Sequence, residues 1–210
     1  MQNKNKSNNT IIKDAIALFG ITLVAGLLLG WVYQTTKDPI TQSELKAKQE
    51  AYQAVYTDAS EFEEDAVLTK AVTESGSFFE ENGITGAELT EALLAKNDNG
   101  DVIGYVMSVT GTEGYAGDIK FTIGIDKDGM VTGLEVLSMN ETAGLGAKCK
   151  EDEFKNQYVG INADEVILTK TGKQKDNEID AISGATITSN AVTKAVNAGI
   201  AFVKKDLAEN

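Results

Sequence analysis

The 210-residue sequence contains no histidine, a single cysteine (Cys149) and a single proline (Pro39). Without histidine, Ser-His-Asp and Cys-His catalysis are excluded, and a zinc site would need a shell of carboxylates alone. A lone cysteine builds neither an intramolecular disulfide nor a cysteine-rich metal site. Basic charge is also scarce, the net charge being −13. Lys4, Lys6 and Lys13 against Asp14 make residues 1–36 slightly positive, so the remainder holds the whole acidic excess. No stretch can neutralise phosphates along a groove, which argues against nucleic acid as a partner. What is left is carboxylate, hydroxyl or lysine chemistry, or chemistry supplied by a cofactor. With 42% hydrophobic and 24% charged residues, the chain has enough apolar content for a core and is not of the disordered class.

The longest uncharged run is AIALFGITLVAGLLLGWVYQTT, residues 15–36. At about 1.5 Å per helical residue it reaches about 33 Å, enough to cross a bilayer. Trp31 and Tyr33 fall where an interfacial aromatic belt would lie, and Pro39 follows where a helix should stop. A cleaved signal peptide is the rival reading, but the run is long for one and no A-x-A-like site follows it. Lys37, Lys46 and Lys48 after the span nearly balance the lysines before it. The positive amino terminus tips the orientation toward a cytoplasmic tail (1–14) and a single-pass anchor (15–36) in the cell (inner) membrane, with the soluble part on the extracytoplasmic side.

Beyond the span, TQSELKAKQEAYQAVY (41–56) has the spacing of a capping box and a helical apolar repeat, so a stalk helix is expected. Residues 57–86 give no definite element, and GAELTEALLAK (86–96) reads as a short helix. From residue 97 the pattern becomes alternating. GDVIGYVMSVT, IKFTIGID and MVTGLEVLS are three expected strands, the last two joined through Lys127-Asp128-Gly129, and Asn97-Asp98-Asn99-Gly100 makes a turn before the first. EDEFKNQYVG is a helix candidate and VILTKTG a short strand; from Ser189 onward a terminal helix sets Val192, Val196, Gly199, Phe202 and Val203 on one stripe. The fold class is α+β, an antiparallel sheet flanked by helices behind one membrane helix.

Two glycine-bearing loops remain. DAISGATITSN (180–190) holds four hydroxyls, Ser183, Thr186, Thr188 and Ser189, just ahead of the terminal helix. Thr188, Ser189 or Asn190 would cap that helix. The same geometry offers free N–H groups and the positive end of a helix dipole to a phosphate. NETAGLGAKC (140–149) follows the third strand, and its Gly-Leu-Gly serves a bulge or turn as readily as close backbone approach to a flat ligand. Cys149 reads as a small buried apolar residue, with a thiol near a ligand as the alternative.

DAISGAT (180–186) resembles the flavinylation motif D-x-x-[ST]-G-A-T of FMN-binding domains. ETAGLGAK is similar to their E-T-P-G-L-G loop, with Ala143 in place of the proline and Asn140 where histidine is frequent, and GYAGDIKFTIGID to their Gly-Tyr-x-Gly strand entry. The order of motifs, the amino-terminal span and the length resemble the G-subunit family of Rnf ion-translocating electron-transport complexes. The C subunit of sodium-translocating NADH:quinone reductase is similar but generally longer. The resemblance implies an FMN-binding domain at 97–210, preceded by a stalk and first part of the exported domain at 37–96. It implies FMN joined covalently, as a phosphoester, to Thr186. Ser183, Gly184, Ala185 and Thr188 would then surround the phosphate, and Glu141, Thr142, Gly144, Leu145 and Gly146 would meet the ring. Asp180 would be recognised by a separate flavin transferase that uses FAD and a metal during maturation. The chain itself would hold no metal and no catalytic residue. It would act as an electron carrier beside the other membrane subunits of a ferredoxin:NAD oxidoreductase that moves sodium ions or protons. A membrane-anchored extracytoplasmic binding module without redox activity, or a free-standing extracellular flavin reductase, are the alternatives.

Overall fold

The structure, a computed structural model, describes residues 3–209, the side chains of 3–10, 38–41 and 206–209 excepted. It divides into two units, Met1–Lys46 and Ala47–Asn210. A single helix α1, Asn3–Val55, leads the chain. The stop expected at Pro39 does not end it: α1 runs on to Val55, although an interior proline loses one N–H bond and crowds the preceding turn at about 3 kcal/mol. From Ile11 this helix is long and apolar enough to cross a membrane, with an 18-residue window of mean hydropathy 2.3. Ile16, Leu18, Phe19, Leu27, Leu28 and Trp31 are all exposed on it, an arrangement suited to lipid and not to water.

The second unit is built on a five-stranded antiparallel meander in the order β1-β2-β3-β4-β5. The strands are β1 (Glu61–Glu63), β2 (Ala87–Lys96), β3 (Val102–Gly111), β4 (Ile119–Asp126) and β5 (Val131–Ser138). The three strands expected from alternation are β3, β4 and β5. The β4–β5 hairpin turns through Gly129 at φ 82°, where Asp126 Oδ1 accepts the N–H of Asp128 at 2.9 Å and of Met130 at 2.8 Å. The helix expected over 86–96 is instead β2. Its Ala, Leu and Glu residues favour a helix by only about half a kcal/mol each over strand formers. Pairing with β3 along nearly its whole length, and burial of Leu89, Ala92, Leu93 and Ala95, overrides that preference. In the stretch without a definite expectation lie β1 and helix α2 (Ala66–Glu81), whose cap is Asp65 accepting from Val67 and Leu68 N–H.

Both faces of the sheet are covered. On one, Met107, Val109, Phe121, Ile123 and Ile125 pack with Val192, Val196, Ile200, Phe202 and Val203 of the terminal helix (Thr186–Glu209). Gly199 lets that helix approach, since a Cβ there would lie 3.4 Å from the Met107 methyl. On the other face Tyr52 and Val55 of α1, with Tyr56, pack with Leu93, Ala95 and Val106. Double coverage is why β3 and β4 are buried almost without a break. After β5 come a 3-10 turn (Gly146–Lys150), the short helix α3 (Asp152–Lys155) and a parallel pair, β6 (Ile167–Thr169) with β7 (Glu178–Asp180). The terminal helix, α4, docks this pair through Asn197, whose side chain exchanges hydrogen bonds with Val166 N–H (2.8 Å) and C=O (2.9 Å). Strand β7 then delivers the chain into the loop ahead of α4.

Candidate functional site

Three segments distant in sequence converge beside the first turn of α4. The first is the loop before that helix. Ala185 N–H bonds Ile182 C=O at 2.9 Å, Gly184 takes φ 77°, and Ser189 N–H bonds Ala185 C=O at 3.0 Å. The helix therefore begins at Thr186, and the capping expected of Thr188, Ser189 and Asn190 is corrected: all three lie inside it. Ser189 works backward from the helix, its Oγ accepting Ile182 N–H (3.0 Å) and donating to Ala185 C=O (3.0 Å), so it fastens the loop from within. Beneath it, Thr193 Oγ1 donates to Ser189 C=O at 2.8 Å and meets the Tyr158 hydroxyl at 3.0 Å. Tyr158 is fully buried, and desolvation raises its pKa above the ordinary tyrosine value.

The second segment is the loop from Glu141 to Gly146. Leu145 and Ala147 N–H both bond Thr142 C=O at 3.1 Å, a tight turn in which Gly144 takes φ 77°. Glu141 is buried and does more than end a turn. Its Oε2 accepts the Thr188 hydroxyl at 2.9 Å, and its Oε1 accepts Ala116 N–H at 3.2 Å. Ala116 belongs to the third segment, the β3–β4 loop. The carboxylate thus joins all three. Gly146 is required at this junction, since a Cβ on it would run into the Glu141 carboxylate and lie 2.6 Å from Thr188 Oγ1.

The three segments enclose a cavity of about 540 Å³, within the range of cofactor sites. Of the residues singled out in the sequence, Glu141, Thr142, Leu145, Gly146, Gly184, Ala185, Thr186 and Thr188 line it. Gly144 and Ser183 do not. Ser183 lines a neighbouring groove of about 290 Å³ together with Asp180, Lys148 and Gln157. Asp180 is exposed there, and its backbone is gripped by Gln157, which accepts Asp180 N–H at 2.6 Å. Two further lining residues, Tyr115 and Ile187, have no role assigned from the sequence. Each sits inside a motif stretch, Tyr115 in the Gly-Tyr-x-Gly entry and Ile187 directly after the motif threonine.

Cys149 is fully buried and outside the cavity lining, as the small-apolar reading expects. Burial, with the Glu141 charge adding to it, pushes the thiol up to about 11 from its ordinary 9.0. Below that pH the sulfur stays protonated, with on the order of a hundredfold less thiolate than a free cysteine. A thiol reagent at about pH 8 is therefore expected to spare Cys149 in the folded chain and to label it after denaturation. Rapid native labelling by intact-mass measurement would contradict the burial.

The chemistry of the donors suits a phosphate joined to a flat ring. The chain contains no arginine, and no lysine is among the described residues lining the cavity, so a phosphate here would be met by hydroxyls and backbone N–H. The first turn of a 24-residue helix presents such N–H groups with its positive dipole end. Gly184, in the cavity lining at φ 77°, lets the backbone turn there against a planar group. Among the described residues no cluster of acidic side chains and cysteine suits a metal ion.

Residues 114–201 match the FMN-binding domain family, and residues 1–55 match the RnfG N-terminal region. The chain is 38% identical over 193 residues to the G subunit of the Na(+)-translocating ferredoxin:NAD(+) oxidoreductase complex of Acetobacterium woodii, covering 90% of each chain. It is 28% identical over 197 residues to the G subunit of the proton-translocating ferredoxin:NAD(+) oxidoreductase complex of Clostridium ljungdahlii, covering 94% of each. Among solved structures, the C subunit of the Na(+)-translocating NADH-quinone reductase of Parabacteroides distasonis aligns with a TM-score of 0.47 and 20% identity, over 78% of this chain and 95% of that one.

Proposed function

The chain belongs to the family of G subunits of ion-translocating ferredoxin:NAD(+) oxidoreductase (Rnf) complexes, and from that premise we propose that it carries FMN as a phosphoester on Thr186 and relays electrons between membrane subunits. The observation that carries this reading is the position of Thr186. It is the first residue of α4, in the wall of the cavity that the two glycine-bearing loops share. A hydroxyl placed there holds a phosphate directly against the helix N-terminus, where N–H groups and dipole both favour the anion.

The donor set supports the fit. Ala185 and Gly184 bring backbone close to the phosphate position, while Thr188, whose hydroxyl donates to Glu141, ties the helix start to the second loop and shapes the wall. Thr142, Leu145 and Gly146 form the wall that the ring would meet. Bound FMN supplies reversible uptake of one or two electrons. The protein's part is to position that group, to set its polarity through a mostly apolar wall, and to keep it from diffusing away.

Asp180 and Ser183 face the adjoining groove, so the motif turns one side to the cavity and the other to solvent. That division suits a role for Asp180 as the contact for a flavin transferase, with Thr186 as acceptor. Thr186 would supply the oxygen of the phosphoester and give up its hydroxyl proton, FAD being the flavin source and AMP the leaving group. An amino-terminal anchor with lysines ahead of it supports an extracytoplasmic position for the domain. The test of the relay is co-expression with the transferase and the remaining membrane subunits. The flavin-bearing chain is expected to co-purify with polytopic partners; isolation of loaded chain always free of them contradicts a relay within a complex.

A further inference from the structure

We propose that Tyr115 is the aromatic wall of the cofactor cavity, its phenol ring lying against the face of the bound isoalloxazine; this rests on the reading that a flavin occupies that cavity. Tyr115 lines the cavity and is 69% exposed. Within the second unit the other tyrosines, at 52, 56, 105 and 158, are buried. A large aromatic ring left in water forgoes the burial that such side chains ordinarily gain.

The backbone on both sides of this exposed ring is nonetheless held. Glu113 forms an ion pair at 2.7 Å with Lys194 of α4. Ala116 N–H is bound by Glu141, and a Cβ on Gly114 would lie 2.9 Å from the same carboxylate. Of the two, the Glu141 contact comes from the cavity lining itself, and the exposed Glu113–Lys194 pair ties the loop to α4. A loop fixed on either side of an uncovered ring is set to receive a ligand at small ordering cost.

What the ring receives is narrowed by its neighbours. The other large apolar side chains of the lining, Leu145 and Ile187, are 44% and 53% exposed. A planar, apolar-faced ring system covers all three at once, and an aromatic pair prefers offset stacking. Thr186 fixes one end of that ligand, so Tyr115 would set the plane of the other. Glu141, by holding both Ala116 and Thr188, keeps the wall and the attachment point in fixed relation.

Flavin fluorescence decay reads this contact without any turnover. A phenol against an excited isoalloxazine gives it one electron and receives it back in the dark, so emission is quenched with no net oxidation. The experiment uses full-length chain in detergent, restricted to samples whose intact mass already shows the flavin. Loss of attachment therefore registers as mass, and loss of stacking as lifetime. Wild-type chain is expected to have a short dominant lifetime. Tyr115→Phe, which keeps the ring but is a poor donor, should lengthen it several-fold while leaving the absorption band shape unchanged. Tyr115→Leu should lengthen it similarly and alter the band shape. A lifetime in Tyr115→Phe equal to that of wild type overturns the assignment.

Discussion

Thr186→Ala is expected to fold and reach the membrane as the parent does, yet to carry no flavin after denaturation. The substitution removes one hydroxyl and one methyl from the first residue of a helix, where alanine is a better helix former than threonine. Thr186 is only partly buried, so the stability change should stay below about 1 kcal/mol. The flavin signal, by contrast, falls from full occupancy to background, because no other residue can take over a bond to that oxygen. Of the neighbouring hydroxyls, Thr188 is committed to Glu141 and Ser189 to Ala185, and Ser183 faces the adjoining groove, away from the cavity. In-gel fluorescence after transferase co-expression separates the cases. A fluorescent Thr186→Ala band would move the attachment elsewhere.

The second large effect concerns how the end of α1 is seated. Gly133 of β5 lies under Val55, and a Cβ on it would sit 2.5 Å from Val55 Cα and 2.7 Å from its carbonyl oxygen. Gly124, its partner across the ladder, is similarly placed, 2.6 Å from that oxygen. Thr132 then donates its hydroxyl to Val55 C=O at 2.6 Å, and Tyr56 donates to Ile103 C=O at 2.6 Å. The atoms in the way are backbone, which has no rotamer to escape into. Gly133→Ala is therefore expected to cost about 3 kcal/mol, the upper end for overpacking, and to lower the thermal midpoint by roughly 6–12 °C. Gly76→Ala is the control. That glycine is inside α2 with nothing within 4 Å of its would-be Cβ, so alanine there should stabilise by about 0.5–1 kcal/mol. A melting curve in which Gly133→Ala matches the parent would show that Val55 is not seated on the sheet as described.

Why β3 to β5 can be read from sequence while β2 cannot is a matter of what covers them. Val, Ile and Phe in alternation, with an Asp-Gly turn between, specify strands locally. In β2 the residues Ala-Leu-Leu-Ala are apolar on both sides because α2 and α4 cover one face and Tyr52 and Val55 the other. Stripped of that context they carry a helical preference. The same holds at the site. Gly144 and Gly184 mark their turns in the sequence, and each takes a positive φ in the fold. The hydroxyl run 186–189 is plain in the sequence, but its division of labour is not. Thr188 turns to a carboxylate 47 residues away, and Ser189 turns back on its own loop; neither pairing has a local signature. Tyr115 lies in the Gly-Tyr-x-Gly entry that the sequence shows, but that motif alone gives it no role; the fold adds its place in the cavity lining.

Peptide mapping of chain expressed with a competent flavin transferase tests the attachment most directly. The peptide containing Thr186 is expected to gain the mass of FMN less one water, with fragment ions locating the addition on that residue. The same peptide recovered at its unmodified mass, from cells that load other acceptors, would contradict a flavin-bearing relay.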